Sequence, residues 1–168
     1  MNKNASLEFT VNKANNSIHI KREFDANLKQ VWQAWTDPEL LDKWWAPKPY
    51  HIETKSLNFE EGGRWLYAMV SPTNEKDWCK ADYKKIAHLK SISWLDAFCD
   101  EEGNDTYGKP NSSWTNIFSE ENGTTTVDIT LQHESKADLE MVIQMGFKEG
   151  FSMALENLDK VLSNLNTP

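Results

Sequence analysis

With 168 residues, 39% of them hydrophobic and eight of them tryptophan, the chain can form one sizeable core and leaves little material for a second domain. Its 26 acidic against 18 basic residues give a formal net charge of -8, and no run of Lys and Arg is long enough to offset it, so we expect no nucleic-acid partner. Because no membrane span, secretory signal or disulfide framework is visible in the sequence, we expect a cytoplasmic protein in which both cysteines are free thiols.

The beginning of the chain is polar and rich in asparagine. We expect residues 1–16 to form a flexible tail, although the alternation in LEFTVN leaves a short extra strand as the alternative. In SIHIKREF, which follows, Ile18, Ile20 and Phe24 share one parity, as in a strand with one buried face. From the length of the chain, residues 17–165 are predicted to form a single domain.

Two short helices are predicted next. Asn27 and Gln30 resemble a capping box at the start of the first, and Asp37 with Pro38 is typical of the start of the second, which ends at Pro47. Their apolar faces are formed by Leu28, Val31, Trp32 and Trp35 in the first and by Leu40, Leu41, Trp44 and Trp45 in the second. Adjacent helical residues point about 100° apart. One of the last two tryptophans should therefore face the core and the other a flank or an opening.

From residue 50 the pattern changes to strands, which we place at 51–58, 64–71, 78–88, 91–99, 112–119 and 125–134. This is an antiparallel meander. The most informative turn is Asn122-Gly123, because a two-residue hairpin loop of this type fixes the register of the strands beside it. It sets Trp114 opposite Leu131, Asn116 opposite Ile129 and Phe118 opposite Val127, all on the buried face.

The end of the chain is predicted to be a long amphipathic helix that begins after Ser135. Gly146, Gly150 and Ala154 lie four residues apart in it, and glycine lowers helix stability by about 1 kcal/mol relative to alanine. These small residues either let the helix approach the sheet closely or leave space beside it for a ligand. The sequence pattern leaves both alternatives open.

Four segments carry a resemblance to a known family: REFDANLKQVWQAWTDPELLDKWWAP at 22–47, GGRWLYAM at 62–69, KADYKKI at 80–86 and MGFKEGFSMALENLDKVL at 145–162. The chain resembles the START-like (SRPBCC, Bet v 1-like) superfamily over 17–164. Within it, the chain is most similar to the family of the activator of heat-shock-protein-90 ATPase homologue. The resemblance implies an α+β helix-grip fold, in which a curved antiparallel sheet of about seven strands wraps around a long C-terminal helix.

The resemblance also implies a function, because proteins of this fold usually bind a hydrophobic small molecule in a cavity between the sheet and the C-terminal helix. We expect this non-enzymatic binding, with no metal and no cofactor. The candidate wall residues are Trp45 near the mouth, Trp65, Tyr67, Met69, Tyr83, Trp94, Trp114, Phe147 and Phe151.

Two alternatives remain open. One is a module that stimulates a heat-shock-protein-90-type ATPase, with that chaperone as its partner. The other is a cyclase-like or hydrolase-like enzyme that uses the same cavity, where Asp96, His51 or Arg64 could polarise a substrate. The four histidines show no metal-binding or catalytic spacing, and no nucleophile elbow is present, so we assign no catalytic residue.

Overall fold

The computed structural model describes residues 7–106 and 108–165, which form eight strands and four helices. In chain order these are β1 (Leu7–Asn12), β2 (Ser17–Phe24), α1 (Leu28–Thr36), α2 (Pro38–Trp44), β3 (His51–Leu57), β4 (Arg64–Val70), β5 (Lys76–Ala87), β6 (Ser91–Phe98), β7 (Ser112–Glu121), β8 (Thr124–Gln132), α3 (Lys136–Gln144) and α4 (Phe147–Leu165). Within these ranges no helix is both long and apolar enough to cross a membrane.

All eight strands belong to one antiparallel sheet with the order β1-β2-β8-β7-β6-β5-β4-β3. Register shifts in β3, between Thr54 and Ser56, and in β5, between Tyr83 and Lys85, interrupt the regular pairing. Irregularities of this kind bend strands and help a sheet to curve. Together with the C-terminal helix, this sheet gives the predicted α+β helix-grip fold.

The strand β1 lies inside the segment that we expected to be a flexible tail. Its six residues pair with β2 along their whole length, so for them the alternative of an extra strand is correct and the tail prediction is wrong. The pairing is supported by packing, because the Phe9 ring lies 6.2 Å from the Phe147 ring. The sheet therefore has eight strands instead of about seven. Residues 1–6 of the predicted tail lie outside the described residues.

The predicted register of the β7–β8 hairpin is confirmed: Trp114 pairs with Leu131, Asn116 with Ile129 and Phe118 with Val127. The inward faces are also confirmed, because all six side chains are buried. The hairpin turn fixed the register, and the alternation of Val127, Ile129 and Leu131 with polar residues identified the face that enters the core.

The two short helices begin at the predicted caps. The side chain of Asn27 accepts a hydrogen bond from the Gln30 backbone N–H at 2.9 Å, and Asp37 accepts one from the Glu39 N–H at 2.9 Å. Trp44 is fully buried and donates its indole Nε1–H to the carbonyl oxygen of Ala34 at 2.8 Å, which ties α2 to α1.

The C-terminal helix is interrupted, in contrast to the single long helix that we predicted from Ser135. Helix α3 ends at Gln144, and Gly146 adopts a φ of +84°, a left-handed conformation that glycine adopts without a steric penalty. Helix α4 then begins at Phe147, packs against α1 and α2, and places Phe151 5.5 Å from the Trp114 ring on the sheet. The break matters for the site, because it lies beside a cavity.

Candidate functional site

A cavity of about 350 Å³ lies between the sheet and the α3–α4 segment. Its sheet side comes from β4, β5, β6, β7 and β8, and its helical side comes from the end of α3, the break at Gly146 and the first turns of α4. The lining residues are Trp45, Pro47, Tyr67, Met69, Asp77, Cys79, Asp96, Phe98, Lys109, Pro110, Ser112, Trp114, Leu131, Val142, Met145, Gly146, Phe147, Gly150 and Phe151.

The inner wall of the cavity is aromatic. Trp45 lies 5.6 Å from Trp114 and 6.0 Å from Phe151, between ring centroids, and the rings of Phe147 and Phe151 stack at 5.3 Å. Trp45 also contacts Trp44, and it lines both this cavity and a separate small gap. We expected Trp45 near the mouth. It is partly buried in the cavity wall, and its position near the mouth stays a prediction.

The exposed residues Asp77, Lys109 and Met145 form the rim. They come from the start of β5, from the loop before β7 and from the residue just before the helix break. The opening of the cavity is therefore beside the α3–α4 break.

Six of the nine predicted wall residues lie together around the cavity: Trp45, Tyr67, Met69, Trp114, Phe147 and Phe151. The other three, Trp65, Tyr83 and Trp94, line a separate gap of about 10 Å³ beneath α1 and α2. Strand parity places those of the nine residues that lie in strands on the concave face. It does not show how far along that face the short helices cover the sheet, so the sequence alone could not separate the two groups.

A small polar patch, formed by Tyr67, Cys79 and Asp96, interrupts the apolar wall. These residues come from three adjacent strands, β4, β5 and β6. Tyr67 Oη accepts a hydrogen bond from Trp45 Nε1–H at 3.1 Å. Burial raises the pKa of Tyr67 well above its usual value and also raises the pKa of Cys79, so both side chains are neutral near pH 7.

Asp96 is the ionisable residue of this patch that titrates near neutrality. Burial raises the pKa of its carboxyl group to about 7, and an interaction with the Tyr67 side chain partly opposes that rise. Its Oδ1 atom is buried and has no hydrogen-bond partner among the described residues, while the residue as a whole remains partly exposed. The sequence suggested Asp96 only as one of three groups that could polarise a substrate.

The other two of those groups lie outside the cavity. His51 is exposed and contacts Glu53, with 3.1 Å between Nε2 and Oε2. Arg64 forms an ion pair with Asp82 and reaches the carbonyl oxygen of Gly103. Neither side chain is placed to act on a molecule bound in the cavity.

A buried Ser–His pair lies behind one wall of the cavity. The Oγ of Ser112, which lines the cavity, and Nε2 of His133 share a hydrogen bond of 2.8 Å. However, no carboxylate of the described part of the chain forms a hydrogen bond with His133, so the pair lacks the third member of a catalytic triad. Burial also lowers the pKa of His133. A buried His of this kind is a weak base, so the pair gives little support to nucleophilic catalysis.

Several lining residues were not predicted from the sequence, among them Cys79, Met145 and Lys109. Cys79 was considered only as a thiol, and the loop that carries Lys109 has no periodic pattern that would place it. Across residues 7–106 and 108–165, no group of three or more His, Cys, Asp or Glu side chains could hold a metal ion.

Comparisons with known proteins identify the family to which the sequence is similar. A family model described as "Activator of Hsp90 ATPase homolog 1-like protein" matches residues 25–163. The crystal structure of protein Ms6760 from Mycobacterium smegmatis is similar, with 28% identity, a TM-score of 0.85, and coverage of 94% of this chain and 96% of that one. A search of curated proteins finds no match.

Two further structures, both solved by NMR in solution, are similar to the same degree. A protein from Arthrobacter aurescens has 28% identity and a TM-score of 0.88, with 94% of this chain and 91% of that chain covered. A protein from Staphylococcus epidermidis has 28% identity and a TM-score of 0.82, with 95% and 96% covered. The names of these three proteins state no ligand or activity.

Proposed function

We propose that this protein binds a hydrophobic small molecule in the aromatic-walled cavity between the sheet and α3–α4. The chain belongs to the family of Activator of Hsp90 ATPase homolog 1-like proteins. The observation that carries this proposal is the cavity itself. Ligand sites are typically concave and mainly apolar, with volumes of about 300–1,000 Å³ and a few polar groups.

The packing around the cavity supports the proposal. Protein interiors are close-packed, and side chains that line an empty space lose dispersion contacts. Trp114 and Phe151 are almost completely buried within the fold yet line this space, and the exposed rim connects it to solvent. A bound apolar molecule would restore the missing contacts.

Binding can be tested with the neutral probe 2-naphthylmethanol. Because Trp45 and Trp114 line the cavity, the probe should quench tryptophan emission. It should also raise the melting temperature by several degrees, since a ligand at one hundred times its Kd stabilises the folded state by about 2.7 kcal/mol.

A matched pair of variants locates the binding. A Cβ atom at Gly150 would meet only the Pro47 side chain, at 3.7 Å, so Gly150→Leu can place its side chain beside the cavity and should weaken binding. Met153→Leu changes an exposed position on the same helix and should bind as the wild type does. Quenching that is equal in both variants, or no response of the wild type to a panel of neutral aromatic and long-chain probes, would argue against the proposal.

The family name supports a second candidate, in which the protein stimulates an Hsp90-type ATPase by docking to it. This function predicts that adding the protein raises the steady-state ATPase rate of the chaperone. An unchanged rate over a wide range of protein concentrations would dismiss it.

A further inference from the structure

Among the described residues, Asp96 is the one carboxylate in the interior of the cavity, where Tyr67 and Cys79 are its polar neighbours. Asp96 pairs in the sheet with Ala81 of β5 and Ser112 of β7, and neither side chain neutralises it. Among the described residues Asp96 forms no ion pair, and its Oδ1 atom has no hydrogen-bond partner. A side-chain hydrogen bond with Tyr67 partly stabilises the carboxylate, but no counter-charge does. Burying a carboxylate without a counter-charge costs stability, so a cation from outside the chain would stabilise it.

The groups that face Asp96 do not supply a positive charge. Tyr67 and Cys79 are the other two ionisable side chains of the polar patch. Cys99 is a further buried thiol that interacts electrostatically with Asp96. Burial favours the neutral form of all three. His133, behind Ser112, is also buried and has a lowered pKa, so it too is uncharged at pH 8.

Two charged side chains lie at the rim instead. Asp77 carries the same charge as Asp96, and the ammonium group of Lys109 lies 4.6 Å from the centre of the Phe98 ring. Lys109 is therefore packed over an aromatic ring and forms no ion pair with Asp96. The negative potential at Asp96 remains available to a ligand.

We propose that Asp96 makes the cavity selective for hydrophobic ligands that carry a protonated amine. The ammonium group would pair with the carboxylate, and the apolar body would lie against Trp114, Phe147 and Phe151. Aromatic faces also attract cations, and the net charge of -8 favours the approach of a cationic ligand. This inference rests on the proposed function and adds the chemical class of the ligand.

The test compares two probes of nearly equal shape, 2-naphthylmethylamine and neutral 2-naphthylmethanol, by titration calorimetry at pH 8. At this pH Asp96 is mostly ionised and the amine is protonated. Hydrogen bonds between two charged groups are stronger than those between neutral groups, so the wild type should bind the amine at least about tenfold more tightly than the alcohol. Asp96→Asn, which keeps the shape of the side chain, should lose most of this preference.

Two control variants remove the same charge elsewhere. Asp25→Asn lies on the exposed surface outside the cavity, and Asp77→Asn lies at the rim; both should keep most of the amine preference. Binding of the alcohol by each variant shows that the variant is folded and that its cavity is intact.

The outcomes separate the two proposals. Binding of the alcohol by the wild type without a preference for the amine would overturn the role of Asp96 and leave hydrophobic binding standing. An amine preference that is undiminished in Asp96→Asn, or that disappears only in Asp77→Asn, would likewise overturn it. Failure of the wild type to bind either probe would count against both proposals.

Discussion

The indole Nε1–H of Trp45 donates a hydrogen bond to the hydroxyl group of Tyr67 across 3.1 Å and thereby joins the end of α2 to strand β4 in the wall of the cavity. Tyr67 is 3% exposed, so the bond is shielded from water. The oxygen that accepts this bond is also the polar neighbour of Asp96. Tyr67 therefore contacts both Trp45, at the end of the short helix α2, and Asp96, the carboxyl group of the cavity wall.

This pair should show a measurable coupling energy. Trp45→Phe removes the donor and Tyr67→Phe removes the acceptor, and buried hydrogen bonds contribute about 1 kcal/mol. In a double-mutant cycle measured by urea denaturation, the two changes together should cost about 1 kcal/mol less than the sum of the single changes. Strict additivity would show that the bond contributes nothing.

Asp96 should make the protein less stable as the pH rises. Its carboxyl pKa is raised in the folded state from 3.8 to about 7, so between these values the folded protein binds more protons than the unfolded chain, and the free energy of unfolding falls with increasing pH. Asp96→Asn removes this cost. Relative to the wild type, the variant should gain on the order of 2 kcal/mol between pH 5 and pH 8.

Urea denaturation of both proteins at the two pH values measures this difference, and other titrating groups cancel in the comparison. The exposed Asp25→Asn variant should show no such gain. A difference between Asp96→Asn and the wild type that does not change with pH would contradict a raised pKa for Asp96.

Substitution by alanine should have opposite effects at Gly146, in the break before α4, and at Gly150, within α4. Gly146 has a φ of +84°, so Gly146→Ala should cost about 1 kcal/mol or more. Gly150 lies within α4, and a Cβ atom there makes only an ordinary contact of 3.7 Å, so Gly150→Ala should gain about 0.5–1 kcal/mol. Thermal unfolding of the two variants tests this directly. If Gly146→Ala were neutral or stabilising, the left-handed break between α3 and α4 would be wrong.

Asn116 should tolerate an apolar replacement. Its side chain is fully buried opposite Ile129, and neither Nδ2 nor Oδ1 has a hydrogen-bond partner among the described residues. A buried unsatisfied amide costs about 1–3 kcal/mol, so Asn116→Leu should raise the free energy of unfolding by about 1 kcal/mol. Thr115→Val, on the exposed face of the same strand, is the matched control and should change stability little. A clear loss of stability in Asn116→Leu would mean that the amide is satisfied.

The two cysteines should react slowly with a thiol reagent. Cys79 and Cys99 are free and buried, and burial raises the pKa of both thiols, which lowers the population of the reactive thiolate. In native protein, Ellman's reagent should label both over a much longer time than in 6 M guanidinium chloride, where two thiols per chain should appear at once. A count below two in denaturant without reductant would indicate a disulfide.

Local patterns in the sequence were enough to predict much of the fold. The caps at Asn27, Asp37 and Ser135 act over a few residues, and each is formed as expected. The Asn122-Gly123 turn fixed the register of β7 and β8 because the side-chain alternation of a strand is counted from its turn. The family resemblance, which the family-model match to residues 25–163 confirms, supplied the overall arrangement of sheet and C-terminal helix.

Tertiary structure decided the features that depend on contacts between distant segments. Strand β1 was ambiguous because its pairing with β2 and its contact with Phe147 involve the far end of the chain. The separation of Trp65, Tyr83 and Trp94 from the cavity depends on where α1 and α2 cover the sheet. Asp96 Oδ1 lacks a hydrogen-bond partner among the described residues because the strands and α4 around it enclose a mainly apolar space. Alternation along a strand determines which face a side chain occupies, whereas burial and the absence of a counter-charge are set by the packing of elements that are remote in the sequence.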